Sequence, residues 1–217
     1  MPSSRYERAA RCAGYRSIAG VDEAGRGALF GPVFAAAVVL DPARQIRGLD
    51  DSKQLDAERR EVLAGRIRER AAAWAVAGAD AFEIDRVNIL EASRLAMKRA
   101  VEKLRPDYLL IDAITVDLPI SQKPLIHGDS LCFSIAAASI LAKVSRDAAL
   151  ARWDRVFPGY GLLSNKGYGT PDHLAALAEL GPTTLHRFSF LPVRHACQSR
   201  DYVWSGYPEQ GDLFACL

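Results

Sequence analysis

Two carboxylates stand side by side at Asp22 and Glu23, between a short apolar run that ends at Val21 and a Gly25-Arg26-Gly27 turn. Adjacent anions repel one another and are costly to bury, so a protein keeps them either in solvent or around a cation. The turn bares its backbone at two glycines flanking a planar, five-donor guanidinium, which suits close approach of a phosphodiester. On these residues alone two readings stay open: a solvated hairpin tip, or a cation site beside a phosphate site. Successive side chains inside a strand point to opposite faces, so the second reading puts Asp22 and Glu23 at a strand end.

Further residues carry chemistry. Asp112 closes the apolar run Tyr108-Leu109-Leu110-Ile111, and in α/β sheets sites gather at strand ends. Asp129 lies in His127-Gly128-Asp129-Ser130 before a long alanine-rich segment, where Asp or Ser ordinarily caps a helix. Within that segment Ser139, Lys143, Arg146 and Asp147 share one polar face. Lys53, in a polar loop, reads as a solvated lysine. Lys166 and Tyr168 are interleaved with glycines across 158–169, a pattern that suits either a nucleic-acid groove or a flexible loop with a packed tyrosine. His173 and His186 read as hydrogen-bonding structural histidines, because no partner stands at metal-ligand spacing.

The elements that must position these groups follow from periodicity. Short apolar runs at 17–21 and 33–40 predict an antiparallel strand pair joined by a wide, glycine-rich connection, the second strand buried on both faces. A helix is expected from Asp56 to about Ala73, a strand over 73–79, and one helix over 85–104 that Pro106 ends. A buried strand over 108–112 precedes a loop over 113–128 with a short strand near Leu125. A long helix over 131–157 and a last short one over 171–180 complete the pattern, which loosens from about Gln198.

At 217 residues, 49% hydrophobic and 25% charged, the chain has the length and composition of an ordinary globular domain with a proper core. Its net charge of +2 is too mild to argue for nucleic acid by itself, so any basic surface must be local. The first residues carry charges where a signal peptide needs an apolar core, and no apolar run reaches membrane-spanning length. A cytosolic location is expected. Cys12, Cys132, Cys197 and Cys216 lie far apart with no CxxC pair, which suggests neither a zinc site nor a disulfide framework.

Taken together, GVDEAGRGALFGPV, DSKQL, VNILEAS, LLIDA, HGDSLCFSIAAASILAKVSRD, SNKGYGTPDH and HRFSFLPV, in this order across residues 16–195, resemble ribonuclease HII, the bacterial type 2 ribonucleases H. The departures are modest: Ala28 and Phe30 replace a usual proline and alanine, His127 a common lysine, and Phe188 a usual basic residue. The resemblance implies an α/β, RNase H-like fold: a mixed five-stranded sheet flanked by helices, with a C-terminal helical and loop extension. It divides the chain into an N-terminal extension (1–15), a catalytic domain (16–198) and a loosely ordered tail (199–217).

It further implies that Asp22, Glu23, Asp112 and Asp129 are catalytic and hold Mg²⁺ or Mn²⁺, with Asp147 a looser neighbour of that set. Gly25, Arg26 and Gly27 would grip the ribonucleotide and Tyr168 the deoxyribose that follows, with Lys53, Lys143, Arg146 and Lys166 contacting phosphates. The implied activity is hydrolysis of RNA in RNA-DNA hybrids and nicking 5′ to ribonucleotides in duplex DNA, giving 3′-hydroxyl and 5′-phosphate ends. The rival readings are a non-catalytic junction-binding module and a metal-dependent DNA nuclease of the same fold. In the tail, Gln210, Asp212, Leu213 and Phe214 resemble the peptide by which bacterial replication and repair proteins bind the sliding clamp, a glutamine anchor followed by two apolar side chains. The chain is expected to be a monomer.

Overall fold

The computed structural model describes residues 2–198; the tail peptide with Gln210, Asp212, Leu213 and Phe214 lies outside the described residues. At its centre β1 (Ile18–Ala24) pairs antiparallel with β2 (Val33–Val39), and β2 antiparallel with β3 (Ala73–Ala79). On the other side β1 runs parallel to β4 (Tyr108–Asp112), and β4 parallel to β5 (Ser121–Leu125). The result is a mixed five-stranded sheet of order β3-β2-β1-β4-β5. Every residue of β2 is buried, as its unbroken apolar run predicts for a strand covered on both faces.

Period-two alternation sorts β1 between two cores. Ala19 and Val21 face α4 (Ile89–Glu102), whose Ala92, Ala96, Met97, Ala100 and Val101 pack against them. The opposite face carries α6 (Phe133–Val156) and α2 (Ala57–Arg70) over Phe34, Ala36 and Val38. A Cβ at Gly20 would overlap the backbone of Ser134 and Ile135, so this glycine lets the start of α6 lie directly on β1. Residues 134–142 are all buried, which is why the segment shows no amphipathic stripe.

The helix expected over 85–104 is two. α3 (Ala81–Val87) opens on an Asp80–Glu83 capping box and stops at Asn88, whose φ of 72° no helix accommodates. The Asn88 side chain then accepts from the amides of Leu90 and Glu91 and starts α4. The long helix expected over 131–157 is α6, and a short α5 (Gly128–Leu131) precedes it, ending at the extended residue Cys132 where α6 begins. From α1 (Arg5–Cys12), buried Glu7 accepts the Ser134 amide at 2.8 Å and so caps α6 across the fold. A smaller core of Leu29, Phe30, Leu150, Tyr160, Leu162, Leu177 and Val193 ties α7 (Leu162–Asn165), α8 (Pro171–Leu180) and α9 (Leu191–Gln198) to the loop after β1. No helix among the described residues is long and apolar enough to cross a membrane.

Candidate active site

Pairing between β1 and β4 stops at Val21 and Ile111, so the residues next in line, Asp22 and Asp112, meet at the sheet's edge of chemistry. β1 itself continues to Ala24, paired with β2 throughout. Asp22 and Glu23 are therefore not beyond the strand end, as a shared ligand seemed to require; they alternate. Asp22 falls on the α6 side, where the Ser139 hydroxyl donates to it, and Glu23 on the α4 side. Asp112 repels both carboxylates, which puts it within electrostatic reach of the two faces at once.

Local hydrogen bonds bring in the fourth acid. Asp112 Oδ1 accepts the Gly128 amide at 2.7 Å, docking the start of α5 against the end of β4. A Cβ at Gly128 would press on the end of the Ile135 side chain and approach the Asp112 carboxylate, so the glycine lets α5 seat closely on β4. Asp129, in the first turn of α5, takes the Ser130 amide on Oδ1 at 2.9 Å and faces Lys53 Nζ from Oδ2 at 3.5 Å. It thus caps nothing two or three residues ahead, and its second oxygen points to the Lys53 ammonium.

Electrostatically the cluster is strained. Burial, then Glu23, then Asp112 push the Asp22 carboxyl well above its usual range, against the hydrogen bonds from Ser139 and the Glu23 amide. Burial and Asp112 raise Glu23 as well, while Arg26, at 3.3 Å, opposes. Glu23 Oε2 is buried with no hydrogen-bond partner. Among the described residues no three acids stand already closed as a metal-ligand set; each leans on its own donor, Asp22 on Ser139, Glu23 on Arg26, Asp112 on Gly128 and Asp129 on Lys53. An oxygen-only donor set in which Asp22, Glu23 and Asp112 repel one another and one buried oxygen is orphaned fits a hard divalent cation.

Beside the acids, the Gly25-Arg26-Gly27 turn and the Tyr168 loop form one unit. The amides of Leu29 and Phe30 both donate to the Gly167 carbonyl, at 2.7 and 3.3 Å. Under the turn lies Arg187, wholly buried, donating from Nε to Gly31 O, from Nη1 to Arg26 O and from Nη2 to Gly25 O at 2.7–2.9 Å. Burial and the neighbouring Arg146 push its guanidinium down to about 9. Arg146, read from sequence as a phosphate contact, is only 1% exposed. Instead it donates to Lys166 O at 2.9 Å, packs against Gly25, and lies under the Tyr168 ring at 5.4 Å. Its place on α6 faces the sheet and the turn, where its Nε and Nη1 are buried with no hydrogen-bond partner.

Lys143 and Asp147, also from the polar face of α6, pair with each other at 2.7 Å. Lys53 and Tyr168 are exposed, Lys166 half-exposed. A Cβ at Gly27 would lie 3.8 Å from the Tyr168 ring, so turn and ring are neighbours. Sequence reasoning missed Arg187 altogether. Its only signal was a place in HRFSFLPV, and nothing local separates an arginine destined for the interior from one destined for solvent.

The family description Ribonuclease HII matches residues 19–193. Ribonuclease HII of Solibacter usitatus (strain Ellin6076) is 61% identical over 190 residues, which are 87% of this chain and 83% of that protein. Among solved structures, the ribonuclease H2 from Pyrococcus horikoshii OT3 superposes with a TM-score of 0.73 at 24% identity, covering 85% of this chain and 98% of that one. A chain of the PCNA:RNase HII complex from Archaeoglobus fulgidus superposes at 0.71 with 26% identity, covering 82% and 96%. The matched span holds the sheet from Ala19 onward, the four acids, the glycine-arginine-glycine turn and the Tyr168 loop, and the chain belongs to the ribonuclease HII family.

Proposed function

We propose that this ribonuclease hydrolyses the RNA strand of RNA-DNA hybrids and nicks duplex DNA 5′ to an embedded ribonucleotide, leaving 3′-hydroxyl and 5′-phosphate ends. The observation that carries this reading is the mutually repelling carboxylates of Asp22, Glu23 and Asp112 beside a glycine-arginine-glycine turn followed by Leu29 and Phe30, whose amides bond the exposed tyrosine loop. Asp22, Glu23, Asp112 and Asp129 hold divalent ions, Mg²⁺ or Mn²⁺. When bound, such ions activate a water nucleophile and stabilise charge on the leaving oxygen.

The chain's own residues orient and select. Ser139, accepting from Ser52 at 2.9 Å while its proton lies on Asp22, fixes that carboxylate's rotamer. Gly25, Arg26 and Gly27 approach the ribose and its phosphates, where the 2′-hydroxyl separates RNA from DNA. The Tyr168 ring packs against the sugar that follows and leaves no room for a second 2′-hydroxyl. Lys53, Lys143 and Lys166 meet phosphates, while Arg146 supports the turn from beneath. Cleavage of this kind suits ribonucleotide removal in the cytoplasm. A sliding clamp is proposed as a partner through Gln210, Asp212, Leu213 and Phe214; the Archaeoglobus fulgidus RNase HII was solved in complex with PCNA, which supports it.

The test is nicking of a labelled duplex with one ribonucleotide, beside an all-DNA duplex and an RNA-DNA hybrid, with Mg²⁺, Mn²⁺ or EDTA. Metal-dependent cleavage 5′ of the ribonucleotide with the all-DNA duplex intact is expected. Binding without cleavage would return the function to a junction-binding module, and cutting of the all-DNA duplex to a DNA nuclease.

A further inference from the structure

Two buried histidines belong to none of the groups above. His173 and His186 are both 0% exposed, and their Nε2 atoms stand 3.2 Å apart. Outside that contact His173 Nδ1 lies 2.9 Å from the carbonyl of Tyr168, and His186 Nδ1 lies 2.9 Å from the amide of Thr183.

The ends of this chain decide every proton in it. The Thr183 amide can only donate, so His186 Nδ1 carries no proton and its hydrogen is on Nε2. The Tyr168 carbonyl can only accept, so His173 Nδ1 carries the hydrogen and its Nε2 is bare. His186 Nε2 therefore donates to His173 Nε2, and a one-way sequence runs from Thr183 through both rings to the backbone of Tyr168. Both imidazoles are neutral in this arrangement, and the Thr183 hydroxyl, 3.0 Å from His186 Nδ1, faces the same bare nitrogen as the Thr183 amide. Burial agrees, lowering His173 and pushing His186 down to about 3.

Each ring is fixed by its surroundings. His186 sits edge-on to Phe30 at 5.0 Å and against Tyr160 at 5.1 Å, and its backbone bridges to Phe30, in the loop that leaves the glycine-arginine-glycine turn. His173 lies in the first turn of α8, its amide donating to Thr170 Oγ1. The Tyr168 carbonyl also accepts the Thr170 amide at 2.8 Å. Two bonds thus fix one carbonyl directly behind the half-exposed ring.

We infer that His173 and His186 are positioning residues, a directional hydrogen-bond relay that sets the Tyr168 backbone and, through it, the enzyme's demand for a deoxyribose after the ribonucleotide. This rests on the reading of Tyr168 proposed above.

The measured quantity is a ratio: kcat/KM for a ribonucleotide followed by a deoxyribonucleotide, divided by kcat/KM for one followed by another ribonucleotide, in otherwise identical duplexes. His173→Gln keeps a donor, and His173→Leu fills similar volume without one. The ratio is expected to fall about fivefold or more in H173L, to stay within about twofold of wild type in H173Q, and to fall no further when H173L is added to Tyr168→Ala. Equal changes in H173L and H173Q, or an extra loss in the Y168A background, would overturn the relay. If H173L does not fold, His186→Leu removes the donor to His173 Nε2 and is expected to lower the ratio likewise; an unchanged ratio there overturns the relay. A ratio lost in Y168A but kept in H173L refutes the relay alone, whereas a ratio unchanged in Y168A refutes the Tyr168 reading itself.

Discussion

Alanine at position 25 tests the turn with a single methyl group. Gly25 holds φ at +95°, where an L-residue is strained, and left-handed backbone costs an L-residue about 1–2 kcal/mol. The added Cβ would lie 2.6 Å from Cδ and 2.9 Å from Cζ of Arg146, separations that real Cβ atoms essentially never show, so the guanidinium must retreat. It cannot do so freely, since it is buried between Gly25 and the Tyr168 ring and bonded to Lys166 O. Losing that charged hydrogen bond costs about 1.5–3 kcal/mol. Disturbing the ring contact adds about 0.5–2 kcal/mol.

Roughly 3 kcal/mol or more therefore falls on the unit proposed to hold the ribose, which corresponds to about a 100-fold loss of kcat/KM. The two sheet cores are untouched, and at about 2–4 °C per kcal/mol a loss of about 3 kcal/mol should lower the melting temperature by about 6–12 °C. Initial rates on the single-ribonucleotide duplex, measured beside a circular-dichroism melt, supply both numbers. Activity of G25A within threefold of wild type would refute the reasoning that the turn depends on Arg146 packing into the space of a missing side chain.

Three other variants test the packing, the acid cluster and the histidines. Gly20→Ala drives a Cβ into the α6 backbone and should cost about 3 kcal/mol, beyond ordinary overpacking, with a melting point lower by about 6–12 °C; a shift under 2 °C would contradict the close helix–strand approach. Asp22→Asn keeps an acceptor for Ser139 and the Glu23 amide but removes a buried charge, so in EDTA at neutral pH it should melt about 2–4 °C higher than wild type, lose the stabilisation that Mg²⁺ gives, and bind duplex without cutting it. The sign follows from a folded pKa raised above the unfolded one: the contribution of Asp22 to stability falls as pH rises from the unfolded carboxylate value toward the raised folded one, unless a cation takes the charge. For the histidines the shift is opposite. With both pKa values depressed, their contribution is complete above the unfolded value of 6.5 and is lost as pH falls from there toward about 3, so His186→Gln should flatten the stability curve over that interval, read by urea melts.

How much of this was legible beforehand depended on the range of the forces involved. The buried β2 run, the strand that ends at Asp112, the Asp56-capped helix and the glycine punctuation all declare themselves within a few residues, because pleat period, capping and backbone freedom are local properties. Asp22, Glu23 and Asp112 stand out by type and by their places at strand ends, whereas Asp129 reads as a helix cap and joins them only through the family resemblance. The break at Asn88 was missed because the apolar positions on either side keep a helical period, and only the left-handed φ of one capping residue separates α3 from α4.

What the chain's order of residues could not decide is which charges go inside. Arg26, Arg146 and Arg187 look alike in sequence, yet Arg26 lines the acid cluster while the other two are buried beneath the turn, because β1 and the loops after α6 and α8 fold over them. The same long-range closure sets Asp22 beside Asp112 across a parallel pair about ninety residues apart in the chain and turns two isolated histidines into neighbours. Residue types determine what chemistry is available. Burial and neighbour distance, which exist only once the sheet and its helices have packed, determine which groups repel, which donate and which are left to meet a substrate.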